Sequence, residues 1–143
     1  MQFVCLVYID SAAIGALSEA EGRQLADDSI AFDWGLRDSG KLILAQPLEA
    51  PQTAVTVRQR AGKFSSTDGP FAEAKELIAG FSVIEANSLE EVIDMVKDWP
   101  RTDGHGNVQI EIRQIATAGD LGFNDEQQDR YNRLVEQEAA QQQ

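Results

Sequence analysis

The run Phe3-Val4-Cys5-Leu6-Val7-Tyr8-Ile9 is apolar at odd and even positions alike. Side chains alternate between the two faces of a strand, so a strand here buries both, as a central strand covered on two sides does. The rest of the chain must supply that cover. Ser18 and Glu21 stand in capping-box spacing, where the Ser oxygen accepts from an early helical N–H and the Glu reaches back to the cap. The helix they open runs to about Ser39, with Gly40 as its left-handed stop. At about 100° per residue, Leu25, Ser29, Phe32 and Leu36 form one stripe, while Ile30 and Trp34 point nearly the opposite way beside Arg23, Asp27 and Arg37. The first stripe suits a sheet. The second suits either a partner subunit or an exposed tryptophan.

Further along, Lys41 to Ala45 reads as a short strand, Pro47 and Pro51 bracket a turn, and 54–58 with 63–66 form a hairpin around Ala61-Gly62. Leu77 to Glu85 alternates as a strand, with Gly80 permitting close backbone approach. Ser88 and Glu91 repeat the capping box. Leu89, Val92, Ile93 and Val96 then have amphipathic helical spacing, which Pro100 ends. Val108, Ile110 and Ile112 alternate with Gln109, Glu111 and Arg113, giving a last strand with one apolar and one polar face. Beyond Gly119 comes a Gln-rich, helix-prone stretch with six acids and two arginines, whose Tyr131, Leu134, Val135 and Ala139 make a narrow apolar stripe fit for docking. The division is a domain over residues 1–118 and an acidic helical tail over 119–143.

The order of strands and helices is two βαβ-like halves with an inserted hairpin, which predicts an α+β, ferredoxin-like sandwich. Both helices then lie on one face, and the two-faced first strand is left half bare. Pairing of two open sheets in a homodimer removes that conflict and encloses a space lined by the polar side of the last strand.

Composition narrows the function. In 143 residues, 12 Lys and Arg oppose 24 Asp and Glu, a formal charge of −12. A surface this acidic repels phosphate backbones and anionic membranes, so neither nucleic acid nor a membrane is an expected partner. One cysteine makes no intramolecular disulfide, no apolar run reaches the ~18 residues of a membrane span, and the start lacks a basic leader, which together predict a reducing cytoplasm. A single His and a single Cys support no metal site, and neither a Walker loop nor a dinucleotide fingerprint is present, so no cofactor is expected.

The densest motif is Asp68-Gly69-Pro70-Phe71-Ala72-Glu73-Ala74-Lys75-Glu76. It resembles the signature of the DGPF-domain branch of the YCII-related proteins. Gly80-Phe81, the Leu89 to Pro100 helix, Glu111 with Arg113, and the first helix ending in Leu36-Arg37-Asp38-Ser39-Gly40 resemble that family's other blocks, over about residues 1–116. The resemblance implies a dimeric α/β-barrel of ferredoxin-like protomers and a genomic association with sigma-factor regulation. Some members of the wider superfamily resemble lyases or dehydrochlorinases that use a His–Asp pair with the His on the first helix. Here that helix has no His; the one histidine is His105, in a glycine-flanked loop.

Each motif residue admits a structural and a functional reading. Asp68 either caps the N–H groups of the following turn, with Pro70 opening that turn, or acts as a general base or substrate anchor once burial raises its pKa. Gly69, Pro70, Phe71 and Glu73 belong to the structural motif. Lys75 pairs locally with Glu73 and Glu76, or turns inward toward an anion or Glu111. Glu111 and Arg113, two residues apart on one strand face, neutralise each other or present the Arg fork to a carboxylate. His105 faces solvent or serves as an acid or base on a closing loop. Cys5 reads as an inert packed thiol, and Trp34 and Trp99 as packing or interface residues. The expectation is a homodimer binding a small anionic ligand through Asp68, Lys75, Glu111 and Arg113 at the sheet interface. The rivals are a cofactor-free lyase or isomerase using Asp68, or a sigma-factor-associated interaction module working through the tail.

Overall fold

The computed structural model describes residues 1–13, 15–71 and 74–141. Strand β1 (Gln2–Asp10) is central, as its two-faced apolarity requires: it pairs antiparallel with β5 (Glu76–Glu85) on one side and β6 (Val108–Gln114) on the other. Strand β2 (Leu42–Pro47) flanks β5, giving the order β2-β5-β1-β6. Setting aside the inserted pair β3 (Val55–Arg60) and β4 (Lys63–Asp68), this is the split βαβ order of a ferredoxin-like sheet.

Helix α1 (Glu19–Asp38) opens on the predicted capping box: Ser18 Oγ accepts from Glu21 N–H and Glu21 reaches back to Ser18 N–H. Helix α2 (Leu89–Val96) has the Ser88 cap, but Glu91 accepts from Asn87 N–H, one residue before the cap, and is held by Lys41 Nζ at 2.7 Å. It stops at Val96 rather than running to Pro100. Both helices cover the sheet face of Phe3, Cys5 and Ile84, which with Leu36, Ala86 and Val92 form the buried core. Phe32 joins the two halves of this layer through Trp99, with ring centroids 5.1 Å apart.

Two elements stand apart from that core. β3 and β4 form an arm hydrogen-bonded as its own two-stranded sheet, and α3 (Asp125–Gln141) contains no buried residue. The apolar stripe of α3 therefore lacks the cover expected of it, apart from Tyr131, which packs edge-on against Phe123 at 5.5 Å. Among the described residues no helix is long and apolar enough to cross a membrane.

Candidate functional site

Between α1 and the sheet lies an apolar cleft of about 520 Å³. Its roof is the α1 stripe of Leu25, Ser29 and Phe32, its floor is Val7, Ala45, Gly80 and Ser82, and Trp99 with Asp103 closes one end. Gly80 matters to the floor because β2 runs so close that a Cβ there would stand 2.9 Å from the Gln46 carbonyl oxygen. The closing segment is pinned at two points: Trp99 Nε1 donates to Asp103 Oδ2 at 2.9 Å, and Thr102 Oγ1 donates to Asp28 Oδ2 on α1 at 2.8 Å.

Few polar groups enter the cleft. Asp33, half-buried on α1, has its carboxyl pKa raised by burial, with Arg37 opposing more weakly. Ser82 is buried, and its hydroxyl makes no well-aligned hydrogen bond; its polar neighbour across the strand pair is the Cys5 thiol. Burial raises the Cys5 pKa against a smaller lowering by Ser82, so the thiol stays protonated and unreactive. The cleft suits a compact apolar body with one or two polar atoms, and its ionisable groups are acids.

The opposite face of the sheet carries a second cluster. Register places Val4, Leu6 and Tyr8 of β1 beside Arg113, Glu111 and Gln109 of β6. Tyr8 donates its hydroxyl to Glu111 Oε2 at 3.0 Å, and Gln109 Nε2 donates to Glu76 Oε1 at 2.8 Å. The hydrogen bond to Glu111 raises the Tyr8 pKa most, burial and the Glu111 charge add to it, and the Arg113 charge works against them. Glu111 and Arg113 share this face as expected, yet the polar bond Glu111 makes is to Tyr8.

The other residues singled out from the sequence sit on different elements. Asp68 is the last, exposed residue of β4, opposite Val55. Gly69, at φ +92°, donates its N–H to Ala54 O at 2.7 Å and accepts from Thr56 Oγ1 at 2.8 Å. Arg58 donates to the Phe71 carbonyl at 3.0 Å, and Phe71 itself is exposed. Residues 69–71, with Pro70 between them, thus fasten the base of the arm, a structural role. Glu73 lies outside the described residues. Lys75 is exposed just before β5, its carbonyl accepting from Ser11 N–H at 2.7 Å. His105 occupies a 3-10 turn at φ +54°, with Nε2 3.5 Å from Glu21 Oε2. Of the four expected ligand-binding residues, only Glu111 and Arg113 are carried by one element.

Sequence reasoning passed over Asp33, Ser82 and Tyr8 as polar groups of a site. Asp33 did leave a signal, one turn beyond Ser29 and next to Phe32 on the buried stripe. Ser82 and Tyr8 acquire meaning only through their partners on other strands.

The fold and cleft define a small split-βαβ domain with its concave site under the first helix. The chain belongs to the YCII-related domain family, which it matches over residues 1–116. It is 35% identical over 122 residues to an uncharacterized protein of Rhizobium meliloti (strain 1021), a match covering 85% of this chain and 98% of that one. Among solved structures it is similar to 5-chloro-2-hydroxyhydroquinone dehydrochlorinase from Burkholderia phenoliruptrix AC1100 in complex with 2,5-dihydroxybenzoquinone. That similarity has 16% identity and a TM-score of 0.43, covering 83% of this chain and 97% of the other.

Proposed function

We propose that this protein binds a small, largely apolar molecule, neutral or cationic, in the cleft between α1 and the sheet. The observation that carries the reading is the cleft itself: about 520 Å³, apolar in lining, with Asp33 and Ser82 as sparse polar groups. That size is within the range of small-ligand sites. Asp33 and Asp103 disfavour the anion expected from the sequence, for which Arg113 on the open face is the better partner. In this reading the open faces of two copies pair into a barrel, covering Leu6 and Val83. The arm-base motif Asp68-Gly69-Pro70-Phe71 supports placing the chain in the DGPF branch.

Tryptophan emission tests it, because Trp99 lines the cleft and Trp34 does not. In a Trp34→Phe variant, Trp99 is the sole indole. Saturable quenching is expected with phenols and aromatic amines, weaker with the matching carboxylates, and lost in Ser29→Phe, which fills the cleft. Quenching that never saturates, or that survives Ser29→Phe, removes the proposal.

A second reading, a cofactor-free lyase or isomerase, is favoured by the raised Asp33 carboxyl. A partly desolvated carboxylate against an apolar ligand is a competent proton acceptor, and it takes the role expected of Asp68 from its motif. Deuterium incorporation next to the carbonyl of a bound aryl ketone, absent in Asp33→Asn, is the expected signature. Equal exchange in both proteins excludes it.

A further inference from the structure

Two elements leave apolar faces uncovered, and their charges are opposite. On the arm, Val55, Val57 and Phe64 share one face by register and are 62%, 64% and 72% exposed. A two-stranded hairpin with no third strand and no covered face is marginal in water. Its tip adds a second strain: Arg60 and Lys63 stand directly opposite each other, a like-charge pair that an anionic neighbour would relieve, and Arg58 adds to the same basic face. Neither Arg60 nor Lys63 forms an ion pair among the described residues.

Helix α3 has the complementary character. Leu134 and Val135 are 53% and 43% exposed, Glu138 lies between them one turn on, and Asp125, Asp129 and Glu136 run beyond Val135, Asp129 being held by Arg133. A largely polar helix of 17 residues gains most of its stability from packing, and within one chain it has little. The dimensions agree, since 17 helical residues span about 25 Å and a six-residue strand about 20 Å. The family match ends at residue 116, before α3 begins at Asp125, so this helix is an addition to the shared domain.

We propose that α3 of one copy docks on the arm of a second copy, Leu134 and Val135 against Val57 and Phe64, in a reciprocal exchange that closes with two-fold symmetry. The register puts Arg60 and Lys63 on the ribbon face opposite Val57 and Phe64, so Asp125 and Glu136 of the helix meet them at the ribbon edge, where the long side chains reach round. The exchange is independent of whether the cleft holds a ligand.

Disulfide trapping in the full chain tests it. A Val57→Cys copy and a differently tagged Leu134→Cys copy are mixed and oxidised, after maleimide labelling has shown that both new thiols are reachable. A cross-link joining the two tags is the expected result. Arg60→Glu/Lys63→Glu on the arm should lower its yield roughly fivefold at low salt, as loss of two exposed ion pairs predicts. No cross-link overturns the proposal. A chain carrying both Val57→Cys and Leu134→Cys is oxidised in parallel; a cross-link within its monomer, with none between the single-cysteine copies, also overturns the proposal, because the helix then folds back onto its own arm.

Discussion

Asp33 shows how one side chain answers to its surroundings. Its carboxyl is held above the ordinary aspartate range by burial, so the folded state binds its proton more tightly than the unfolded state does. For such a group the penalty is complete above the folded pKa and disappears as pH falls below the unfolded one. Asp33→Asn is therefore expected to raise the melting temperature slightly at pH 7, the gap closing below about pH 4, where aspartate is protonated in both states. Thermal melts of both proteins across that range check the sign. Ile84, fully buried in the core, follows a simpler rule: Ile84→Ala should cost about 2–5 kcal/mol in urea unfolding, the usual range for emptying such a site. The strand that carries Ile84 was legible because strand alternation is local. Asp33 and Ser82 were not, because their character comes from what packs opposite them. Asp68 drew attention for the converse reason: its motif is turn chemistry, conspicuous in sequence, and it is the neighbouring Gly69 and Phe71 whose backbone groups bond the base of the arm.

Among the elements, α2 is tied to Lys41, the residue that leads into β2, through Glu91. Its carboxyl is lowered first by the Lys41 bond and then by the Asn87 N–H, so the stability it contributes is present above the ordinary glutamate pKa and lost as pH falls through the lowered one. Glu91→Gln is expected to destabilise at neutral pH and to match the parent in acid, as paired melts would show. Gly80→Ala acts on the β2–β5 edge instead. A Cβ there meets backbone rather than a yielding side chain, so a loss of about 1–3 kcal/mol is expected in urea unfolding. Helix starts were readable because caps sit within four residues of what they satisfy. The early end of α2 was less so: Asp98 N–H and Trp99 N–H turn back to Met95 and Val96 carbonyls three residues earlier, carrying the indole to its bond with Asp103. Pro100 marked only the outer limit.

For the whole molecule, the inserted arm and the split βαβ order followed from turn residues and strand patterning, because each is written in short stretches. The cleft did not, since it is a gap between α1 and a floor drawn from three strands. If the open faces pair, Leu6→Arg places a charge at their centre and should weaken self-association roughly 30-fold or more, visible as a monomer in light scattering while far-ultraviolet dichroism is retained. An unchanged mass would assign the self-association to another surface. The position of β1 also sets a timetable for synthesis. Gln2 pairs with Glu85, and Tyr8 reaches Glu111 across 103 residues of chain. β1 thus leaves the ribosome before both of its neighbours and waits first for β5 and then for β6. The nascent chain must carry an apolar segment with one edge unpaired until residue 114 has been made, and such non-local closure is slower than the folding of a helical bundle.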